Sequence, residues 1–361
     1  MATNMRAIHI KGDKGPASAL YIGEAPAPAL QKGQGAKEDE DKVIVRIKYA
    51  GINRMDTLQR EGKYPIPPGA SPILGVEFSG VVEDLVPSAS SNDPTTSNGL
   101  KVGDEVFGLN TGGCYAELVK LPARMVLKKP KEISWEEAAA IPEVWLTAFQ
   151  AQRWIANLQP GEDILIHAGA SSVGLAAIQL AKSFGARHIY VTAGSQEKIE
   201  SCKSLGATEG INYKTSVWEE ELKKLTSSRG VNVIMDFLGG PYFGPNIRSL
   251  ALDGRLVLQG LMGGSPVCEV DLTQVLVKRL HIEGSTLRSR SLEYQSSLMQ
   301  DLLKSGVLEK IVKGCDKPGK SASDEHHRIA IHKVFDWAQA KEAHEEMEAN
   351  KNTGKILLKI S

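Results

Sequence analysis

The segment Asp163-Ile-Leu-Ile-His-Ala-Gly-Ala-Ser-Ser-Val-Gly-Leu-Ala-Ala-Ile-Gln-Leu-Ala-Lys-Ser-Phe-Gly-Ala186 constrains the fold more than any other stretch of the chain. Ile164, Leu165 and Ile166 form a short apolar run, as a parallel strand buried on both faces does. Gly169 to Gly174 make a turn with almost no side-chain bulk. Leu175, Ile178, Gln179 and Lys182 then recur at helical spacing. Strand, tight turn and helix in this order bring backbone N–H groups and the positive end of a helix to one point, which suits a pyrophosphate.

That arrangement predicts the dinucleotide crevice of a Rossmann unit, with Gly169, Ser171, Ser172, Val173 and Gly174 as its phosphate turn. The motif reads G-x-S-x-x-G, so Ser171 stands where a second glycine is usual. Taken alone, such a turn also serves simply to pack a helix on a strand. The strand–helix units that follow favour the crevice. They comprise a strand at His188–Thr192, a helix at Glu197–Leu205 ending at Gly206, and strands at Val231–Phe237, Arg255–Gly260 and Leu280–Gly284. A helix over Trp145–Leu158 precedes them. Alternating strands and helices imply a parallel, doubly wound sheet.

Residues 1–130 are different in character. Val43-Ile-Val-Arg-Ile-Lys-Tyr49 alternates apolar and polar, as a half-buried strand should, and Val76–Val86 and Asp104–Leu109 read similarly. Polar loops are expected at Gln31–Asp41 and Pro87–Gly99, the second of them mobile because it cannot bury apolar area. Amphipathic helices are expected at Leu292–Ser305 and Trp337–Asn350, and a closing strand at Lys355–Ile360. With β-type sequence at both ends, the termini should meet in one β-rich domain (1–141 and 291–361), with the nucleotide-binding domain (142–290) inserted between them.

The chain carries 43 Lys plus Arg and 43 Asp plus Glu, a balance that argues against general affinity for nucleic acid or anionic membranes. No apolar run is long enough to span a bilayer and no signal-peptide core leads the sequence, so a cytoplasmic location is expected. Cys114, Cys202, Cys268 and Cys315 form no C-x-x-C pair and read as unpaired thiols. His326 and His327, after Asp324-Glu325, read as solvated side chains in a polar loop, and His167 as a packed or hydrogen-bonded histidine.

Several further segments carry a resemblance: Asn53-Arg-Met-Asp56, Gln59-Arg-Glu-Gly-Lys-Tyr64, Leu74-Gly-Val-Glu77, Ala138–Phe149, His167–Gly174, Ala193-Gly-Ser-Gln196, Gly260-Leu-Met-Gly-Gly264, Leu287-Arg-Ser-Arg290 and Met347–Lys355. Through them nearly the whole chain resembles the zinc-free, zeta-crystallin-like quinone oxidoreductases of the medium-chain dehydrogenase/reductase superfamily, and among these the stress-induced quinone oxidoreductase subgroup. The resemblance implies an α/β fold: a GroES-like β-rich catalytic domain, an inserted Rossmann domain and an active-site cleft between them. It also implies a homodimer built by edge strands of the Rossmann sheets, here residues 256–285. The stretches near 33–41, 88–99 and 315–326 look like additions to the family pattern.

Zinc-dependent relatives hold a catalytic metal with a Cys and a His in the β-domain. The Cys position is Asn53 here, and the Gly-His-Glu segment reads Gly75-Val-Glu77, so no metal is expected. For the cofactor, NAD-selective sites end the second strand on an Asp or Glu. That strand ends Val191-Thr-Ala-Gly-Ser195, with no carboxylate at its tip. NADPH is therefore expected, with Ser195 and Lys198 around the 2′-phosphate, although Ser195 serves equally as a helix cap; the resemblance implies Tyr213 beside the same phosphate. Glu197 departs from the lysine of the nearest pattern.

Gly260, Met262 and Gly263 are expected around the nicotinamide, Leu238 along the crevice edge, and Asn352 in a segment returning to the cofactor. Tyr64 is expected to polarise or protonate the acceptor oxygen, and Asn53 to orient the nicotinamide ribose or the acceptor. Their alternatives are surface packing for Tyr64 and a helix N-cap for Asn53. The reaction that the resemblance implies is hydride transfer from C4 of NADPH to a quinone. Reduction of an alkenal or enone, or a non-catalytic NADPH- or RNA-binding role, are the alternatives. The expected partners are a small quinone or enone and a second copy of the chain, with neither a membrane nor a nucleic acid.

Overall fold

The alternation at Val43–Tyr49 produces the central strand of a large antiparallel-dominated sheet. The computed structural model describes residues 4–32, 39–86, 99–267, 271–315 and 326–361. The first strands are β1 (Asn4–Ile10), β2 (Leu20–Pro26), β3 (Lys42–Ile52), β4 (Glu77–Val86), β5 (Glu105–Leu109), β6 (Leu118–Pro122) and β7 (Val126–Lys128). Six more follow: β8 (Asp163–Ile166), β9 (His188–Ala193), β10 (Glu209–Asn212), β11 (Val231–Asp236), β12 (Leu250–Leu258) and β13 (His281–Gly284). The chain then returns through β14 (Ile331–Asp336) and β15 (Lys355–Lys359).

Two compact units result: Met1–Glu143 with Arg288–Asp301 and Ile331–Ser361, and Val144–Leu287 with Leu302–Ala330. In the first, the sheet order is β14-β15-β3-β4-β5-β7, with β6 also on β3 and β1 paired with β2. Val43, Val45 and Ile47 are fully buried, as their side of the alternation requires. The terminal strand is tied in by antiparallel pairing of Ile356 with Ile52 and of Leu357 with Gly51. That register brings Lys355 beside the residue that follows β3, Asn53.

In the second unit the sheet order is β10-β9-β8-β11-β12-β13, parallel throughout. This is the nucleotide-binding order of a Rossmann sheet, in which the strands, all parallel, progress outward in opposite directions from the β8–β11 pair. Ile164, Leu165 and Ile166 are fully buried. Leu165, Tyr190, Ile234 and Leu256 pack with Trp218, Leu222 and Ile247 in one apolar cluster.

Several elements depart from expectation. Trp145–Leu158 is not one regular helix: an α-helix over Pro142–Phe149 widens into a π-turn at Gln150–Ile155. The fully buried Gln150 and Gln152 bond outward there, to Thr286 O and Ala177 O. The described residues of 302–330 belong to the unit of the parallel sheet, whereas the sequence places all of 291–361 in the β-rich domain. Lys310 Nζ donates to Ser183 Oγ at 2.9 Å and Arg328 N to Gln179 Oε1 at 2.6 Å, fastening this segment to the helix Ser172–Ser183.

His326 and His327 are buried, not solvated. The His327 ring lies 5.2 Å from that of Trp145, and its backbone N–H donates to Lys310 O. Cys114 and Cys202 are free and buried. Cys268, the side chain of Cys315, and the expected loops at 33–38, 87–98 and 316–325 lie outside the described residues. Among the described residues no helix is long and apolar enough to cross a membrane.

Candidate active site and cofactor groove

The phosphate turn folds as its small residues require. Ser171 caps the helix Ser172–Ser183, its Oγ accepting from Gly174 N at 3.1 Å. Ser172 and Val173 occupy the first turn, where N–H groups have no acceptor within the helix. The two glycines serve packing: a Cβ on Gly174 would lie 2.5 Å from Gly169 O, and one on Gly169 would lie 2.7 Å from Val191 Cβ. Their absence lets the helix and β9 close around the turn.

Past β9, Ser195 caps the helix Gln196–Ser204, its Oγ accepting from Lys198 N at 3.3 Å. The capping role is therefore real, and the hydroxyl proton remains available as a donor. Lys198 has its pKa lowered, first by burial and then by the Lys214 ammonium nearby. Tyr213 reaches back over the same corner, where a Cβ on Gly194 would lie 2.8 Å from its hydroxyl and 3.2 Å from Lys214 Cε. Sequence reasoning missed Lys214, although its position directly after Tyr213 was the available signal.

At the end of β11, Asp236 is fully buried. It accepts from Leu238 N at 2.7 Å and Gly239 N at 3.2 Å. Burial raises its pKa to about 6 against these donors. The turn it holds is zipped to the next one: Met262 N donates to Phe237 O at 3.0 Å, Gly263 N to Leu238 O at 2.8 Å and Gly240 N to Gly264 O at 2.7 Å. Gly260 closes against Phe237 O, where a Cβ would sit at 3.1 Å. The structure thus brings Leu238, Gly260, Met262 and Gly263 into one double turn at the carboxyl end of β11 and β12.

In the β-rich unit, Asn53 heads the helix Arg54–Arg60, and its backbone N–H donates to Asp56 Oδ2 at 2.8 Å. Its amide does something else. Nδ2 donates to Glu77 Oε1 at 2.9 Å, and Oδ1 accepts from Lys355 Nζ at 2.6 Å. Lys355 also forms an ion pair with Glu77, and both side chains are essentially inaccessible. Glu77 Oε2 further accepts from Glu143 N at 2.9 Å. These contacts fix which end of the Asn53 amide is oxygen. Glu77 follows Val76, and β15 delivers Lys355, so residues far apart in sequence build one cluster around the Asn53 side chain.

Tyr64 lies in the same unit, with the Arg288 guanidinium 5.7 Å from its ring centroid. Its pKa is raised, first by burial and then by Glu143, so the phenol keeps its proton. Arg288 donates to Thr111 O at 2.8 Å and Gln59 Oε1 at 2.7 Å, while its second terminal nitrogen is buried with no partner. Asn352 turns its amide to Gly354 O at 2.9 Å within its own turn. Among the described residues no three His, Cys, Asp or Glu side chains converge to hold a metal ion.

A GroES-like β-domain with a six-stranded Rossmann sheet inserted in its sequence defines a medium-chain oxidoreductase. Family models agree: residues 39–131 match the alcohol dehydrogenase GroES-like domain, and residues 172–304 match the zinc-binding dehydrogenase domain. The chain is 31% identical to the rat quinone oxidoreductase-like protein 2, covering 88% of this chain and 85% of the relative. The Escherichia coli quinone oxidoreductase, solved complexed with NADPH, superposes with a TM-score of 0.78 at 26% identity over 98% of this chain and all of that one. A mycobacterial protein, also complexed with NADPH, gives 0.79 at 26% identity over 99% of this chain and all of that one. The chain belongs to the quinone oxidoreductase family of the medium-chain dehydrogenase/reductase superfamily.

Proposed function

We propose that this protein is an NADPH-dependent quinone oxidoreductase that works without a metal. The observation that carries the cofactor choice is the gathering of Lys198, Lys214 and Tyr213 around Gly194, with the Lys214 ammonium lowering the Lys198 pKa after burial, at the end of a strand that does not close on an Asp or Glu. A 2′-phosphate beside the two ammonium groups would offset their charge, with the Ser195 hydroxyl and Tyr213 as further donors. Ser172 and Val173 would offer N–H groups to the pyrophosphate. Bound NADPH would supply a hydride from nicotinamide C4.

Metal-free chemistry is supported by the donor set. Asn53 stands at the ligand position, and its oxygen is already engaged by the Lys355 ammonium. Val76 offers no donor, and Glu77 is neutralised by Lys355. A divalent cation would have to displace a buried ammonium, so the residues do not fit zinc. The Asn53 amide keeps one N–H for the ribose or acceptor. Tyr64, protonated at neutral pH, would donate to the acceptor oxygen as negative charge develops there.

Quinone as the acceptor is supported by the names of the rat and Escherichia coli relatives. Assembly as a homodimer is supported by β13, a sheet edge whose four residues are all exposed beside exposed Leu272, Leu276 and Val277. The test is an acceptor series with NADPH: a 1,2-quinone, a 1,4-quinone and an α,β-unsaturated ketone, read by loss of near-ultraviolet absorbance. Turnover of a quinone above the enone is expected, and turnover of the enone alone would replace this reading. Tyr64→Phe should lower kcat at least about tenfold, about 1.4 kcal/mol, with the NADPH Kd within about twofold. Unchanged kcat would remove Tyr64 from the chemistry.

A further inference from the structure

One buried chain of hydrogen bonds crosses the carboxyl ends of β9, β8 and β11. Thr192 Oγ1 lies 3.0 Å from His167 Nδ1, His167 Nε2 lies 2.8 Å from Asn246 Oδ1, and Asn246 Nδ2 donates to Asp236 Oδ2 at 3.0 Å. All four side chains are essentially inaccessible. The polarity of the chain follows from its end. An ionised Asp236 only accepts, so Asn246 turns its NH2 to it and its oxygen to His167. His167 must then carry its proton on Nε2 and accept from Thr192 on Nδ1. The imidazole cannot swing away: Trp218 and Tyr242 meet it edge-on, with centroids 4.7 and 4.8 Å distant, and stack on each other.

The two ends of this chain serve different segments. Thr192 is next to last in β9, three residues before Ser195. Asp236 gathers the N–H groups of Leu238 and Gly239, where Gly239 has φ +76° and a Cβ would lie 2.9 Å from Gly264 O. Asp236 and the zipper between residues 237–240 and 262–264 hold that glycine-rich double turn through its backbone N–H groups, with Gly264 N also donating to Leu261 O.

We propose that Asn246 is a positioning residue for cofactor binding. Through Asp236 it holds the Leu238–Gly239 and Gly260–Gly263 turns in the geometry that seats the nicotinamide half, and through His167 it locks them to the strands that seat the adenosine half. This deepens the proposed function and rests on its assignment of those turns to the nicotinamide.

The fragment 2′,5′-ADP, which carries the adenosine and its phosphates but no nicotinamide, separates positioning from general stability. Asn246→Leu should raise the NADPH Kd tenfold or more and leave that of 2′,5′-ADP within twofold. Asn246→Asp places two carboxylates side by side and should have the same effect. The exchange Asp236→Asn with Asn246→Asp restores one carboxylate and one amide, with Asn at 236 still accepting from Leu238 and Gly239, and should recover most of the NADPH affinity. Equal losses for NADPH and 2′,5′-ADP, no loss with either single variant, or no recovery in the exchange would each overturn the proposal. A wild-type protein that binds 2′,5′-ADP but gains nothing from the nicotinamide half would instead overturn the assignment of the turns, and the positioning role with it.

Discussion

Lys198 and Lys214 show how a pair of residues can carry more information than either alone. A single lysine one turn into a helix is an ordinary solvated side chain. Lys198, its pKa lowered by burial and then by the neighbouring Lys214 ammonium, gathers with that lysine beside a capping serine, an arrangement suited to a phosphate. Lys198→Ala and Lys214→Ala should each raise the Kd for NADPH about tenfold, roughly 1.4 kcal/mol, and leave that for NADH nearly unchanged in fluorescence titrations. Equal losses for both coenzymes would place the lysines elsewhere.

The buried histidines set a second expectation at this scale. His344 accepts from Arg60 at 3.1 Å and lies 3.5 Å from Tyr115 Oη, and burial followed by the Arg60 charge lowers its pKa to about 3. The folded state keeps this ring neutral while the unfolded chain takes up a proton below about pH 6.5. Its contribution is therefore fully present above that pH and is lost as pH falls towards 3. His344→Gln retains an acceptor and a donor but does not titrate. Its urea-unfolding free energy should fall less steeply than the wild type's between pH 6 and pH 4, by about 1.4 kcal/mol per pH unit. Parallel profiles would contradict the assignment.

Among elements, strand–turn–helix at Asp163–Ser183 was legible because apolar run, small turn and helical spacing each point the same way. The helix Gly240–Ser249 is less legible: Gly240, Gly244 and the internal Pro245 are poor helix formers, so no local pattern points to Asn246 inside it. His326 and His327 were misread for a related reason. Their polar sequence neighbours say nothing of Trp145, which covers His327 from the helix Pro142–Phe149.

The edge of the parallel sheet is a different case, because its apolar residues stay uncovered. Leu276 is 79% exposed on the helix Leu272–Val277, which buries no residue, and Ile282 is 37% exposed on β13. Leu276→Glu with Ile282→Glu should convert a dimer into a monomer by light scattering, without unfolding the sheet. A dimer that survives both charges would place the interface elsewhere.

At the scale of the whole molecule, the closure of the chain builds the site. Resemblance identified Asn53 as the residue in the metal-ligand position, but only the pairing of β15 with β3 shows what its amide touches. Lys355 lies 302 residues from Asn53, a separation no local pattern reports. Lys355→Met leaves the Glu77 carboxylate buried and uncompensated and should cost about 3–5 kcal/mol of stability. Lys355→Met with Glu77→Gln removes both charges and should recover most of that loss in thermal unfolding. A double variant as unstable as the single would show that the pair does not act as a unit.

The proposed reaction passes a hydride from NADPH to a quinone without a metal. The most direct measurement follows oxidation of NADPH deuterated at one or the other C4 position, by a 1,2-quinone, after exhaustive chelation. The rate should survive chelation and slow for only one of the two deuterated epimers. Activity abolished by the chelator and restored by zinc, or rates indifferent to deuterium at both positions together with no detectable NADPH binding, would contradict it.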